Sequence, residues 1–418
     1  MKFIVLFLIT LSLAFAYNYH GCTLAPDNVH GWVITIDTAL VFHTSDGGIH
    51  WHMQDVPANT KRFFDVTCTD EIRAWTCGML GEILHTENGG IDWVLQATGL
   101  SKYATRIEFI DENYGWIVGG NSTVGITTNG GSSWEQIWTN PWLWLEIYGV
   151  SFVNEYDGWV VAGWPDTLEI GQGFILRSTD GGINWDSLYQ TTTYEDYLDV
   201  FFFNLLDGIV IGGDDETFEP VIFKTTDGGF NWNTIPAPDS AYYLRAVDFV
   251  DDEGWAVGKH GTIIYTSNYG DTWSFQTNPA ESTLFDVDFS DSLHGLCCGY
   301  DGILYTSDGG QDWSITSGVQ EEHERIPTEI SYLRVFPNPF REKTDIRLQI
   351  PDMGNHTLQI YDVTGRSIRQ FDNTAIRLSD HIVWDGTGDN GKRVPSGIYL
   401  INVESENYRD VTKIVFLE

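Results

Sequence analysis

An octet of one kind recurs seven times along this chain, and that recurrence limits the fold more than any other feature. It reads TSDGGIHW from Thr44 to Trp51 and returns as TENGGIDW, TTNGGSSW, STDGGINW, TTDGGFNW, TSNYGDTW and TSDGGQDW. Its acidic or amide residue falls at Asp46, Asn88, Asn129, Asp180, Asp227, Asn268 and Asp308, at intervals of 42, 41, 51, 47, 41 and 40 residues. A period of about forty in a chain of short alternating apolar runs predicts a β-propeller, one four-stranded sheet per repeat. The unit from Leu244 to Gln276 shows the pattern, with RAVDF, GWAVG, TIIYTS and TWSFQ separated by turn residues. The octet then occupies the turn between the third and fourth strands.

Its chemistry is that of a turn. The Asp or Asn side chain accepts hydrogen bonds from the amides that follow it, and the second glycine, Gly48 in the first copy, takes a backbone angle that a side chain would forbid. The closing tryptophan is expected to pack between sheets. These seven residues are therefore structural, and the fold class expected for residues 17–317 is an all-β, seven-bladed propeller.

The octets resemble the Asp-box, S-x-D-x-G-x-x-W, of BNR-repeat propellers, with Asn in three copies and Thr usually in place of Ser. DGWVVAG and EGWAVGKHGTIIYTSNYGDTW are further similar to the photosystem II stability/assembly-factor group. That resemblance implies seven blades. The repeat phase, with GCTL as first strand of blade one and WSITS ending blade seven before Gly318, predicts blades contiguous in sequence, with the last packing on the first.

After an acidic linker at 318–332 the wording changes. VFPNPF, IYDVTGR, WDGTGDNGKRVPSGIY and the closing KIVFL resemble the C-terminal sorting domain of type IX secretion cargo, related to FlgD-like Ig domains. About seven short runs over 333–418 predict a small β-sandwich. The resemblance implies passage through the periplasm and delivery to the cell surface, with the secretion machinery as a partner. At the other end, Lys2, an apolar run from Phe3 to Phe15 and Ala14-Phe15-Ala16 make residues 1–16 a secretory signal peptide. No run is long enough for a spanning helix.

Charge narrows the ligands. The formal charge is -37, and from Ser331 onward 11 basic residues face 12 acidic ones, so -36 lies before it. A field of that sign repels phosphate backbones, which argues against nucleic acid and favours cationic ligands, neutral sugars or plain solubility. The cysteines, Cys22, Cys68, Cys77, Cys297 and Cys298, are odd in number and match no zinc spacing. Cys68 and Cys77 are expected on neighbouring strands, as a cross-strand bridge or as buried thiols. His50 and His52 share a strand face without a third ligand, and the loop of Asp385, Thr387 and Asp389 lacks the Gly and Glu of an EF-hand. Neither predicts a metal, and no cofactor is expected.

The two long intervals locate insertions. The fourth repeat carries GWPDTLEIGQG between its second and third strands, and the fifth carries GGDDETFEP. With the connections WTNPWLWLEI and YQTTTYEDYL, they are expected on the face opposite the octets. There Trp142, Trp144, Trp164 and Tyr194, with Asp214 and Asp215 at the rim, form the candidate ligand face across blades three to five. Flat aromatics stack on sugar rings or peptide side chains, and carboxylates accept hydrogen bonds or bind cations. Arg62, Arg106 and Arg245 each enter the first strand of a repeat and make a second candidate cluster at the channel mouth, where structural pairing competes with anion binding. The expected function is a secreted, non-catalytic glycan- or protein-binding propeller. The alternatives are a glycoside hydrolase on the same fold, which would need two carboxyls flanking the bond, and an assembly factor for a membrane complex. No catalytic residue is assigned.

Overall fold

Each repeat folds into an antiparallel sheet whose second strand is buried on both faces and whose fourth is exposed. Gly115–Gly119 is buried throughout, whereas Glu135–Trp138, at the outer edge of the same sheet, is half-buried to exposed. The strands carrying Gly-Trp therefore read as continuous apolar runs, as strands covered on both sides must. The computed structural model describes residues 17–417 except 58–59, 97, 101, 139–144, 164–172, 192–194, 215–216, 317–318, 321–331, 337–339, 342, 350–356, 363–365, 372–380, 390 and 405–408. Two units divide the chain, Met1–Glu321 and Glu322–Glu418.

In the first unit the described residues form seven sheets in sequence order, each with its strands in the order 1-2-3-4. This is a multi-bladed, propeller-like arrangement. The first strands are Tyr19–Leu24, Phe63–Cys68, Ala104–Phe109, Glu146–Phe152, Glu195–Phe202, Leu244–Val250 and Leu284–Phe289. Every one slips register against its second strand near its start, a bulge at His20, Phe64, Thr105, Tyr148, Leu198, Arg245 and Phe285. Bulges bend a strand and re-aim its side chains. The last sheet shares an apolar core with the first, joining Leu296, Cys298 and Ile303 to Tyr19, Cys22 and Leu24. At the outer edge Val319–Gln320 pairs in parallel with Trp51 and His52.

The octets close locally. In the fifth, the Thr225 hydroxyl donates to Asp227 Oδ1 at 2.9 Å and accepts the Gly229 N–H at 2.9 Å, while Asn231 N–H donates to Asp227 Oδ1 at 2.8 Å. Gly229 sits at φ +92° with Leu188 and Trp232 atoms 2.9 and 3.3 Å from where a Cβ would stand. His50 is part of such a turn, its Nδ1 2.7 Å from Asp46 Oδ2, and lies just outside the strand Trp51–Gln54. It therefore does not share a strand face with His52.

The tryptophans of the second strands are uniformly deep, while those of the octets vary, from Trp51, fully buried, through Trp93, Trp134 and Trp313, buried, to three that are not. Trp32, Trp75, Trp116, Trp159 and Trp255 are fully buried, whereas the octet residues Trp185, Trp232 and Trp273 are half-buried. Trp116, Trp159 and Trp255 stack on Phe152, Phe202 and Phe289 of the following sheet at 3.8, 3.6 and 3.5 Å. Their indole N–H groups donate to the glycine carbonyls Gly181, Gly228 and Gly309 of that sheet's octet at 3.0, 3.0 and 3.1 Å. The octet thus supplies the acceptor and the Gly-Trp element the ring, so two repeated motifs lock one seam.

The second unit is a small β-sandwich of two sheets. One contains Tyr332–Phe336, Thr344–Gln349 and His381–Trp384; the other contains Thr357–Asp362, Ser367–Phe371, Gly397–Glu404 and Arg409–Phe416. Ile346, Leu358, Ile360, Trp384, Ile401 and Phe416 fill its core. Asp385 accepts the Thr387 N–H at 3.0 Å and its hydroxyl at 2.5 Å, and Arg369 braces this turn, donating to Thr387 O at 3.2 Å and standing 3.8 Å from Asp385.

Candidate functional site

Alternation of strand direction puts the octets and the turns between first and second strands at one end of the propeller unit. Hydrogen bonds tie them there, with Gly181 N–H donating to Tyr156 O and Gly228 N–H to Leu206 O, both at 2.8 Å. Loops between second and third strands, and connections between sheets, emerge at the other end.

At that other end a cavity of about 500 Å³ opens between the fourth and fifth sheets. Tyr189 and Thr191 line it from the fourth sheet, and Glu195, Asp214, Glu219 and Phe223 from the fifth. Glu195 is held from both sides, its Oε2 accepting the Tyr197 hydroxyl at 3.2 Å and the Thr191 hydroxyl at 3.4 Å. Tyr189 and Phe223 give the cavity an aromatic wall, backed by the fully buried Tyr197, with ring centroids 5.6 to 6.3 Å apart. The loop at Asp214 turns back on itself, Thr217 N–H donating to Asp214 Oδ1 at 2.8 Å. It carries Phe218 at φ +60°, a conformation that costs a bulky residue energy and calls for surroundings that hold it. Phe218 is 41 % exposed, and the Lys259 ammonium lies over its ring at 4.0 Å and over Tyr243 at 4.3 Å.

Of the residues expected on this face, Asp214 lines the cavity. Trp142, Trp144, Trp164, Tyr194 and Asp215 lie outside the described residues.

The three arginines have separate surroundings. Arg62 is exposed just before its strand. Arg106 points into the channel, where Asp286, Asp65 and Asp199 stand 3.2, 3.4 and 3.5 Å away; three sheets converge on one guanidinium. Arg245 makes no ion pair among the described residues; its guanidinium stands 5.0 Å from the Phe285 ring centroid, and its Nε is buried without a partner. His20 stacks on the same Phe285 at 5.1 Å and donates from Nδ1 to Phe64 O at 2.8 Å. Burial lowers its pKa to about 4, so the ring is neutral.

Sequence reading missed the channel carboxyls. Innermost strands have a free edge whose N–H groups need acceptors, and here acidic side chains supply them from the neighbouring sheet. Asp65 accepts Ile107 N–H at 2.9 Å, Asp199 accepts Val247 N–H at 3.0 Å, and Asp286 accepts Cys22 N–H at 2.9 Å. One tier further along, Glu108, Asp248 and Asp288 accept the N–H groups of Phe152, Phe289 and Leu24. Burial raises the pKa of Asp65 and Asp288 to about 7, of Asp199 to about 6 and of Glu108 to about 8. The available signal was an acid two residues from another in FDVDF, against the apolar grain of a buried strand.

The described residues contain no cluster of His, Cys, Asp and Glu arranged to hold a metal ion, and no helix among them is long and apolar enough to cross a membrane.

Comparison with known proteins places the two units. Residues 187–277 match the family described as photosynthesis system II assembly factor YCF48, and residues 334–417 match the secretion system C-terminal sorting domain. No curated protein matches the chain in sequence. Among solved structures, one described as YCF48 bound to D1 peptide is 18 % identical with a TM-score of 0.56, covering 70 % of this chain and 94 % of its own. YCF48 from Cyanidioschyzon merolae is 19 % identical at 0.56, over 71 % and 97 %. The WD40 propeller domain of Doa1 is 12 % identical at 0.53, over 73 % and 94 %. The chain thus joins a BNR/YCF48-like propeller region to a type IX secretion sorting domain, which carries it through the periplasm to the cell surface.

Proposed function

We propose that this protein is a secreted binding propeller of seven blades, closed into one ring, that captures a peptide segment of another protein and performs no catalysis. Residues 17–317 form the binding domain, 318–332 the linker, and 333–418 an Ig-like sorting domain. The ligand site is the cavity between the fourth and fifth sheets, together with the exposed Phe218 beside it. The observation that carries this reading is the pairing of an aromatic wall with three carboxylates, Glu195, Asp214 and Glu219, around one cavity. Such a lining offers stacking surface, and its charged side chains are all carboxylates, which suits lysine or arginine side chains better than an anion. A solved relative of the same fold, YCF48 bound to D1 peptide, lends support to a peptide ligand on a propeller of this kind.

A panel of basic, neutral and acidic peptides and of neutral glycans, titrated calorimetrically against the mature full-length protein, tests the proposal. Basic peptides are expected to bind, to weaken with added salt, and to lose at least tenfold in affinity in Glu195→Gln and Tyr189→Ala. Binding confined to neutral glycans would replace peptide by sugar as the ligand. Turnover of a glycan would overturn the non-catalytic reading.

A further inference from the structure

Consecutive sheets of the propeller unit meet at equivalent positions, one on the second strand of a sheet and one on the first strand of the next. The second-strand residue stands opposite the position after the bulge: Ile34 opposite Gly21, Cys77 opposite Asp65, Val118 opposite Arg106, and Cys298 opposite Asp286. Its neighbour across the seam lies one residue further along the next first strand. Ile34 and Val66 share one seam core, Cys77 and Ile107 the next, then Val118 and Val150, Val161 and Val200, Ile211 and Val247, and Val257 and Val287. In each of these six seams the chain itself runs from one sheet into the next.

At the seventh seam, between last sheet and first, no connection leads from an outer strand to the next innermost one, and the chain reaches only the outer edge of the first sheet; there the two equivalent positions are Cys298 and Cys22. Their placement is tied down from the backbone. Cys22 N–H donates to Asp286 Oδ2 at 2.9 Å, and Asp286 is the cross-strand partner of Cys298. Side chains of a cross-strand pair point to the same face, so the Cys298 thiol faces the sheet that Asp286 reaches. Both side chains are free thiols, buried in the one core that the last sheet shares with the first. Cys297, next in the strand, points the other way, into the seam core with Val257 and Val287. Cys77 stands opposite Asp65 and Cys68 opposite Ala74, so these two are not a cross-strand pair.

We propose that Cys22 and Cys298 form a disulfide in the exported protein and clasp the closing seam of the ring. The route to the cell surface crosses the periplasm, where disulfides form and persist. The oxidant is a protein disulfide of a thiol oxidase. One cysteine thiolate attacks that disulfide and releases one of its sulfurs, leaving a mixed disulfide; the second thiolate displaces the other sulfur. The two cysteines lose two protons and two electrons, and the oxidase leaves as a dithiol. In the closed ring Cys22 and Cys298 are 2 % and 0 % exposed, and burial pushes both thiols above their ordinary pKa. A buried neutral thiol is a poor nucleophile, so the first attack on the oxidase belongs to the stage before the last sheet docks; docking brings the second thiol to the mixed disulfide, and the finished bond is shielded from reductants. The clasp acts on the inner side of the seam, whereas the chain itself ties only the outer edge, by the short pairing of Val319 and Gln320 with Trp51 and His52. Valine is the natural replacement, because aliphatic pairs fill the corresponding place in five of the six other seams.

The test uses the full-length protein purified after export, without reductant. Denaturing alkylation followed by peptide mapping should show Cys22 and Cys298 in one cross-linked species, about 2 Da below the sum of its reduced peptides, while Cys68, Cys77 and Cys297 take up the alkylating agent. Prior reduction under denaturing conditions should abolish that species. Reductant present during refolding should lower the melting temperature of the wild type and leave that of Cys22→Val/Cys298→Val unchanged. Alkylation of all five cysteines in the exported, unreduced protein, or a cross-link joining a different pair, would overturn the proposal. Should the double variant not fold, the wild-type peptide map decides alone.

Discussion

Replacing Arg106 by Leu removes the guanidinium that Asp65, Asp199 and Asp286 share in the channel. The side chain is 17 % exposed and its three partners 6, 14 and 9 %, so solvent screens little of the interaction. Breaking a buried pair from one side typically costs about 3–5 kcal/mol, because the remaining charge is stranded. Here the loss depends on pH, and its sign follows from the carboxyls. Their folded pKa values, about 7 for Asp65 and about 6 for Asp199, lie above the unfolded value of about 3.9. The folded protein therefore holds protons that the unfolded chain releases, and stability falls as pH rises from about 4 through the folded values. One such proton gives a slope of about 1.4 kcal/mol per pH unit, or about 3 kcal/mol from pH 5 to 7. Wild type should accordingly melt several degrees higher at pH 5.5 than at pH 8. Without Arg106 the carboxyls move higher still, so Arg106→Leu should lose most at pH 8 and least at pH 5.5, where protonation removes the stranded charge. Calorimetric melts of both proteins at pH 5.5, 7 and 8 read this directly. An equal loss at all three values, or a wild type more stable at pH 8, would refute the reasoning.

Other outcomes follow from the same geometry. Trp159→Ala empties a fully buried site stacked on Phe202 and should cost about 3–5 kcal/mol in urea unfolding, far more than Asp227→Ala in the exposed turn; neither should change affinity at the opposite face. Gly229→Ala forces a Cβ onto φ +92° beside Leu188 and should lower the melting temperature, which a neutral effect would contradict. Deletion of residues 333–418 should leave the propeller in the periplasm, as cell fractionation would show, with the mature chain beginning at Tyr17 by N-terminal sequencing; surface display of the truncated protein would refute the sorting role.

How much of this was readable beforehand depends on the range of each interaction. The octet's bonds span two to four residues, as in Thr225 to Asp227 and Asn231 to Asp227. Its wording carries its structure, and seven repetitions at a steady interval carry the architecture. The sorting domain was legible for the same reason, since its motifs stand in order within one short stretch. Of the two long intervals, the one in the fifth repeat contains Asp214 and Glu219, which line a cavity; the insertion of the fourth, at 164–172, lies outside the described residues. The channel could not be read in that way. Arg106 meets Asp65, Asp199 and Asp286 across separations of 41, 93 and 180 residues, and no local pattern distinguishes a channel aspartate from a solvated one in a chain this acidic. Cys22 and Cys298 looked like unrelated thiols until the last sheet was seated on the first. Chain-local hydrogen bonding and periodic burial were determined by the sequence itself; which side chains share the axis and the closing seam was decided only by the ring, because closure brings together residues from opposite ends of the unit.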